Sequence, residues 1–215
     1  MPTPHAKATR KAAVALVIGA LITALGGFAS QIVQGSTNVS DDLWRYPWSS
    51  DAFVLVSLLW ALAHGLVIVG LLGLRRSGIA GHARSAAVGF GLAVAGTAVL
   101  LVAELASLPF ASQPVGDTGP ALVAAAFGLG TLLAGIGLLA AGRAALQSGQ
   151  WDDWRRFTPL AAGGWTIVLV GIAATTALPT GVAIYGLCLL AIGIALYTRP
   201  SGSAVAVPTA HANTA

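Results

Sequence analysis

The chain has 215 residues, of which 56% are hydrophobic, 27 are glycine and only 8% are charged, with a formal net charge of +4. Ordinary soluble domains carry roughly 25% charged residues, about three times this density. Eighteen charged side chains cannot clothe 21.5 kDa of protein in water, and a mean hydropathy of +0.83 makes lipid the solvent. A soluble enzyme, a nucleic-acid-binding domain and a disordered chain are excluded. The single cysteine, Cys188, excludes an intramolecular disulfide and a Cys-x-x-Cys redox pair.

An apolar helix needs about 20 residues to cross roughly 30 Å of hydrocarbon. Six windows meet that requirement: 12–33, 53–74, 86–107, 120–141, 159–178 and 181–198. Residues 1–11 then form a cytoplasmic tail, 12–198 a transmembrane domain, and 199–215, rich in Ser, Ala, Pro and Thr, a disordered cytoplasmic tail. Ser49-Ser50-Asp51 supplies cap oxygens before the second span, and Thr158-Pro159 a cap with proline at the first helical position of the fifth. Leu178-Pro179-Thr180-Gly181 is expected to turn the chain between the last two spans.

Orientation follows from the loops. Lys7, Arg10 and Lys11 precede the first span; Arg75, Arg76 and Arg84 follow the second; Arg143, Arg155 and Arg156 follow the fourth; Arg199 follows the sixth. The intervening loops hold only Arg45. The positive-inside rule therefore places both termini in the cytoplasm and accounts for the basic charge without a nucleic-acid partner. The expected fold is an all-α membrane protein, a six-transmembrane-helix bundle of sequential antiparallel hairpins. A rival reading takes the first span as a signal peptide cleaved before Ser30, but its apolar stretch of about 18 residues exceeds the usual core of roughly 7–15.

Glycines recur seven residues apart in five spans: Gly19 and Gly26, Gly89 and Gly96, Gly130 and Gly137, Gly164 and Gly171, Gly186 and Gly193. Ala63 and Gly70 repeat the spacing in span two. Seven residues is nearly two turns, so each pair marks one face for close helix packing. Leu108-Pro109 and Leu178-Pro179 end two spans alike, but little else matches, so an internal repeat is weakly signalled.

Ionisable groups inside a span usually face a bundle interior or a cavity. His64 lies near the middle of span two and Glu104 in the outer part of span three. Ser57, Trp60 and His64 form one stripe, with Glu104 level with Ser57 and Trp60 and His64 roughly 10 Å deeper. Gln31 and Gln34 end span one on the same side, as Thr175 and Thr176 end span five. These residues suggest a polar vestibule open to the outside, with Glu104 and His64 as a proton or ligand site. The bland alternative leaves each hydrogen-bonded within the packing.

The loop 35–50 holds Asp41, Asp42, Trp44, Arg45, Tyr46 and Trp48. Trp44 and Trp48 suit a short interfacial helix as an aromatic anchor. With Arg45 they also suit a lid over the vestibule, Arg45 reaching Asp41, Asp42 or Glu104. Trp151-Asp152-Asp153-Trp154-Arg155-Arg156 reads as the matching belt on the cytoplasmic side, with an Asp152–Arg156 pair.

Intramembrane cofactor chemistry fails on inventory. His64 has no second in-span histidine, Met1 is the only methionine, and His5, His82 and His211 lie in tails or a loop. No metal centre, cofactor, nucleophile elbow or phosphate loop is expected, and the chain is not read as an enzyme. Its expected partner is the lipid bilayer; homo-oligomers stay open.

The stretch Gly70-Leu71-Leu72-Gly73-Leu74-Arg75-Arg76-Ser77-Gly78, continuing to Ala103-Glu104-Leu105-Ala106-Ser107, resembles small multi-span membrane proteins of actinobacteria. The resemblance covers spans two and three, implies a bacterial plasma membrane and carries over no functional residue. Two functions are then expected: a non-enzymatic structural or accessory bundle, or a small proton-coupled transporter or ligand-binding membrane protein that uses Glu104 and His64.

Overall fold

A computed structural model describes residues 4–81, 83–151 and 153–198. They form six helices: α1 (Pro4–Gln34), α2 (Ser50–Arg76), α3 (Arg84–Ser107), α4 (Thr118–Ser148), α5 (Thr158–Ile172) and α6 (Leu178–Tyr197). Among the described residues the only strand-like pairing is an isolated antiparallel bridge between Leu43 and Pro114. Long helices are what such a composition dictates, because in lipid each backbone N–H and C=O must be satisfied within its own segment. The residues expected to form the C-terminal tail lie outside the described residues. At the N-terminus, helix α1 begins at Pro4, within the stretch expected to be a tail.

Five helices, α1 to α4 and α6, are long and apolar enough to cross a membrane. Helix α5 falls short of the expected window 159–178: its 15 residues span about 22 Å at 1.5 Å each. The chain turns at 173–177 rather than at 178–181. Thr175 closes that turn, donating through Oγ1 to the Ile172 carbonyl at 2.8 Å and accepting from Ala177 N at 3.3 Å. Leu178 and Pro179 open α6, because proline lacks only an N–H that a first helical turn leaves unpaired. Ser49 caps α2 as expected, accepting from Ala52 N at 3.4 Å. Thr158 does not cap α5; its hydroxyl donates to Arg155 O.

Successive helices pack antiparallel, and α6 returns to α1, closing a ring. At one end of that last pair Arg10 hydrogen-bonds and stacks on Tyr197; at the other Thr180 donates to Gln31 Oε1 at 2.8 Å. Arg10, Arg75, Arg76, Arg84, Arg143, Arg155 and Arg156 gather at the first end, called here the basic end.

Most glycine pairs mark the contact edges. A Cβ added at Gly19 would lie 2.8 Å from Ala63 O, at Gly89 2.6 Å from Ala141 N, and at Gly130 2.9 Å from Gly96 O. Backbones therefore touch along α1–α2 and α3–α4, the approach by which helices associate in lipid. Gly186 and Gly193 do the same for α6 against α1. The α5 pair does not: Gly164 and Gly171 meet nothing within 4 Å, and Gly163 makes the contact with α4 instead.

The buried apolar cluster fills the ring next to the basic end and runs on along α5 and α6, through Leu169 and Tyr185, toward the far end. It gathers Leu16, Leu71, Phe90, Leu138, Leu189 and Ile192 from five helices, with Trp151 among them at 3% exposure. Trp151 is thus a core residue rather than the interfacial anchor expected. Trp154 keeps that surface role, exposed beneath the Arg155 guanidinium. Asp152 and its expected pair with Arg156 lie outside the described residues.

Candidate functional site

Each of the first three helices turns a stripe of residues, spaced by seven, between its two contact edges and so toward the ring's centre. On α3, Leu101 meets Gly65 of α2, while Gly89 and Gly96 meet α4; Phe90, Thr97 and Glu104 fall between. On α2, Ala63 and Gly70 meet α1 and Gly65 meets α3; Ser57, His64 and Leu71 fall between. On α1, Gly19 and Gly26 meet α2 and Gly27 meets α6; Leu16, Thr23 and Ser30 fall between.

These three stripes share one order. Each is apolar next to the basic end (Leu16, Leu71, Phe90) and polar twice beyond it: Thr23 and Ser30, His64 and Ser57, Thr97 and Glu104. Along α1, α2 and α3 the interior therefore changes from hydrocarbon to polar groups, while α5 and α6 keep apolar residues, Leu169 and Tyr185, toward the far end. Thr23 and Thr97 satisfy themselves on the carbonyls four residues back, Gly19 O at 2.9 Å and Ala93 O at 2.8 Å.

Of the two ionisable members, His64 has the Trp60 carbonyl, four residues back, within reach of its ring, and Glu104 has no such partner. His64 Nδ1 is buried without a hydrogen bond. The Glu104 side chain, half-buried, makes no hydrogen bond or ion pair among the described residues; only its backbone carbonyl is used, by Ser107 Oγ at 2.7 Å. Gly65 faces Leu101, so His64 lies about two residues, roughly 3 Å, nearer the basic end than Glu104. Trp60, one turn beyond His64, lies roughly 3 Å past the level of Glu104 and lays its indole on Gly26 of α1, 3.2 Å from a Cβ added there.

Gln31 and Gln34 stand apart from this pair. Gln31 donates to Gln34 Oε1 at 3.2 Å and accepts from Thr180 at 2.8 Å, so together they fasten the ends of α1 and α6. Thr180 is the partner that sequence reasoning missed, having been assigned to the turn.

Over the far end lie two loops, 35–49 and 111–117. Trp44 N donates to Gln113 O at 2.9 Å, Arg45 N to Ala111 O at 3.1 Å and Val115 N to Asp42 O at 2.7 Å. Arg45 Nη1 donates to Ser112 Oγ at 3.1 Å, a partner absent from the three expected. Its Nε is buried and unpaired. The segment is a chain of turns around a cis Tyr46–Pro47 bond and contains no helix, so the anchor helix expected from Trp44 and Trp48 does not form. Trp48 is half-buried, its backbone N–H donating to Arg45 O at 2.8 Å. Trp44 stacks on Phe127 of α4, ring centroids 6.4 Å apart.

Phe127 was not singled out by the sequence. It lies between the α4 edges that meet α3 (Gly130, Gly137) and α5 (Gly135, Gly142), as do buried Leu138 and Ala145. Gly96 lies against the backbone between Gly130 and Ala134, so Glu104, eight residues on, lies roughly 4 Å nearer the far end than Phe127. An apolar groove of about 460 Å³ on the outward side of α3 and α4, lined by Val99, Val102, Ala106 and Leu122, contains none of these residues. Among the described residues no three His, Cys, Asp or Glu side chains are grouped to hold a metal ion.

No family model, curated protein or solved structure matches this chain.

Proposed function

We propose that the protein is a non-enzymatic, multi-pass protein of a bacterial plasma membrane that holds a proton or small ligand at Glu104 and His64. The placement takes the chain across six times, with both termini in the cytoplasm. Helices α4 and α6 begin at the far end, and α5 with its flanking turns must carry the chain between the two ends despite its length. Ten of the eleven basic residues then fall on the cytoplasmic side, and Asp41, Asp42, Asp51 and Asp117 fall outside.

The observation that carries the functional reading is an unpartnered Glu104 side chain and a buried His64 imidazole, which turns to the Trp60 carbonyl of its own helix, on the inward faces of neighbouring helices. Such groups are expensive in a membrane unless a proton, ion or solute meets them. Apolar packing beneath and polar stripes above make the outer side the route of access. The test is a proteoliposome assay of proton or solute movement comparing wild type with Glu104→Gln. Intact folded yield with abolished pH-dependent movement or binding supports the site. Loss of folding supports the second reading, a structural or accessory bundle. That reading is favoured by Gln31, Gln34 and Thr180, whose polar contacts serve only to join helices.

A further inference from the structure

Trp154 and Phe157 stand three residues apart in the 3-10 turn Asp153–Phe157, which leads into α5 at the basic end. Such a turn has three residues per revolution, so the two rings share one face, and they are 49% and 48% exposed. The turn is held firmly. It packs against α4, α5 and α6, and the Thr158 hydroxyl fastens it by donating to Arg155 O at 2.8 Å.

Each ring carries a guanidinium. Arg155 Cζ lies 5.9 Å from the centre of the Trp154 ring, and Arg156 Cζ 4.8 Å from that of Phe157. Neither arginine makes a hydrogen bond or ion pair among the described residues, and Arg155 Nε is buried without a partner. Asp153 is the only carboxylate among the described residues of the basic end, against seven arginines. The protein leaves that charge for another molecule to neutralise.

Helix α5 sets the depth of this face. Its 15 residues cover about 22 Å, less than roughly 30 Å of hydrocarbon, so the turn before a crossing α5 sits at the hydrocarbon boundary. Tryptophan prefers that boundary, and an arginine there meets lipid phosphates, which its planar fork can hold through two parallel hydrogen bonds. An acidic protein segment matches the charge but not two rings held at that depth.

We propose that the Trp154–Phe157 turn docks an anionic phospholipid of the cytoplasmic leaflet, its headgroup charge met by Arg155 and Arg156 and its glycerol region lying on the two rings. This goes beyond the reading of Glu104 and His64 and rests only on the membrane placement of the basic end.

The test uses the full-length protein in lipid nanodiscs and phenylglyoxal, which modifies arginine, with each labelled position read by mass spectrometry. Discs of phosphatidylcholine are compared with discs in which about a third of the lipid is phosphatidylglycerol with the same acyl chains. The expected result is that phosphatidylglycerol slows labelling of Arg155 and Arg156 about fivefold or more, and of Arg75 and Arg76 less than about twofold. Inorganic phosphate added to the phosphatidylcholine discs should slow none of them. Trp154→Leu/Phe157→Leu, which removes the π-faces but keeps apolar bulk, should cut the protection about twofold to fivefold. Equal slowing at all four arginines overturns the site in favour of diffuse surface charge. Slowing by inorganic phosphate overturns the lipid as occupant, and no slowing by phosphatidylglycerol overturns the proposal outright. These outcomes are read on the wild-type protein, need no variant to fold and are separate from any result at Glu104.

Discussion

Trp44, in the loop between the first two helices, stacks on Phe127 of the fourth, with planes inclined by 29°. The contact crosses the mouth of the ring, joining a loop that starts beside α1 to a residue two helices away. Three backbone hydrogen bonds to the loop 111–117 hold the tryptophan there. The two far-end loops thus form one cap over that end of the ring.

Locking that cap should close the site. Leu43 and Pro114 form an antiparallel bridge, where opposed α-carbons lie about 4.5–5.5 Å apart, within the range a disulfide spans. In a Cys188→Ser background, oxidised Leu43→Cys/Pro114→Cys should slow carbodiimide labelling of Glu104 from the outer side, and reduction should restore it. Trp44→Ala should speed it. Equal rates in all three would remove the cap's gating role.

Backbone contact at the glycines should make them intolerant of bulk. Gly89→Val and Gly19→Val force a side chain into a neighbouring helix backbone and should cost about 1–3 kcal/mol or more. Gly164→Ala and Gly171→Ala meet open space within a helix and should leave stability unchanged or raise it by up to about 1 kcal/mol. Thermal midpoints in one detergent decide both.

That contrast shows what the sequence made legible. The seven-residue spacing of glycines was visible, and in four of the five helices bearing such a pair it marks a packing edge. It misled at α5, because a spacing of seven identifies a face without saying what lies opposite. The inward stripes carry the same spacing, yet Leu16-Thr23-Ser30 and Phe90-Thr97-Glu104 do not stand out until contact edges fix which face turns inward. Glu104 and His64 were legible because charge is rare in a span. Phe127 was not, since one phenylalanine in an apolar helix carries no mark of its position. The α5–α6 turn was misplaced because proline serves a helix's first turn as readily as a loop.

The first helix should be retained in the mature protein. It packs between α2 and α6, and Gly19, Gly26 and Gly27 touch both neighbours. Removing residues before Ser30 would expose those faces. N-terminal sequencing of membrane-extracted protein should begin ahead of Lys7; a start at Ser30 would contradict the six-helix ring.

Crossing by the short α5 is open to a direct check. In the Cys188→Ser background, Thr176→Cys in the α5–α6 turn should react with a membrane-impermeant maleimide added outside intact cells, and a cysteine at Gln150 only after permeabilisation. Labelling of both from one side would reduce the crossings to four plus a re-entrant hairpin.

The central claim is a polar interior reached from outside and sealed toward the cytoplasm. Ser57→Cys, on the inward stripe of α2 and 3% exposed, tests it in the Cys188→Ser background with a small membrane-impermeant methanethiosulfonate reagent. The account predicts modification from the outer side, slowed by occupancy of the Glu104 site, and none from the cytoplasmic side in inverted vesicles. Modification from the cytoplasmic side alone, or from neither side in folded protein, would contradict it.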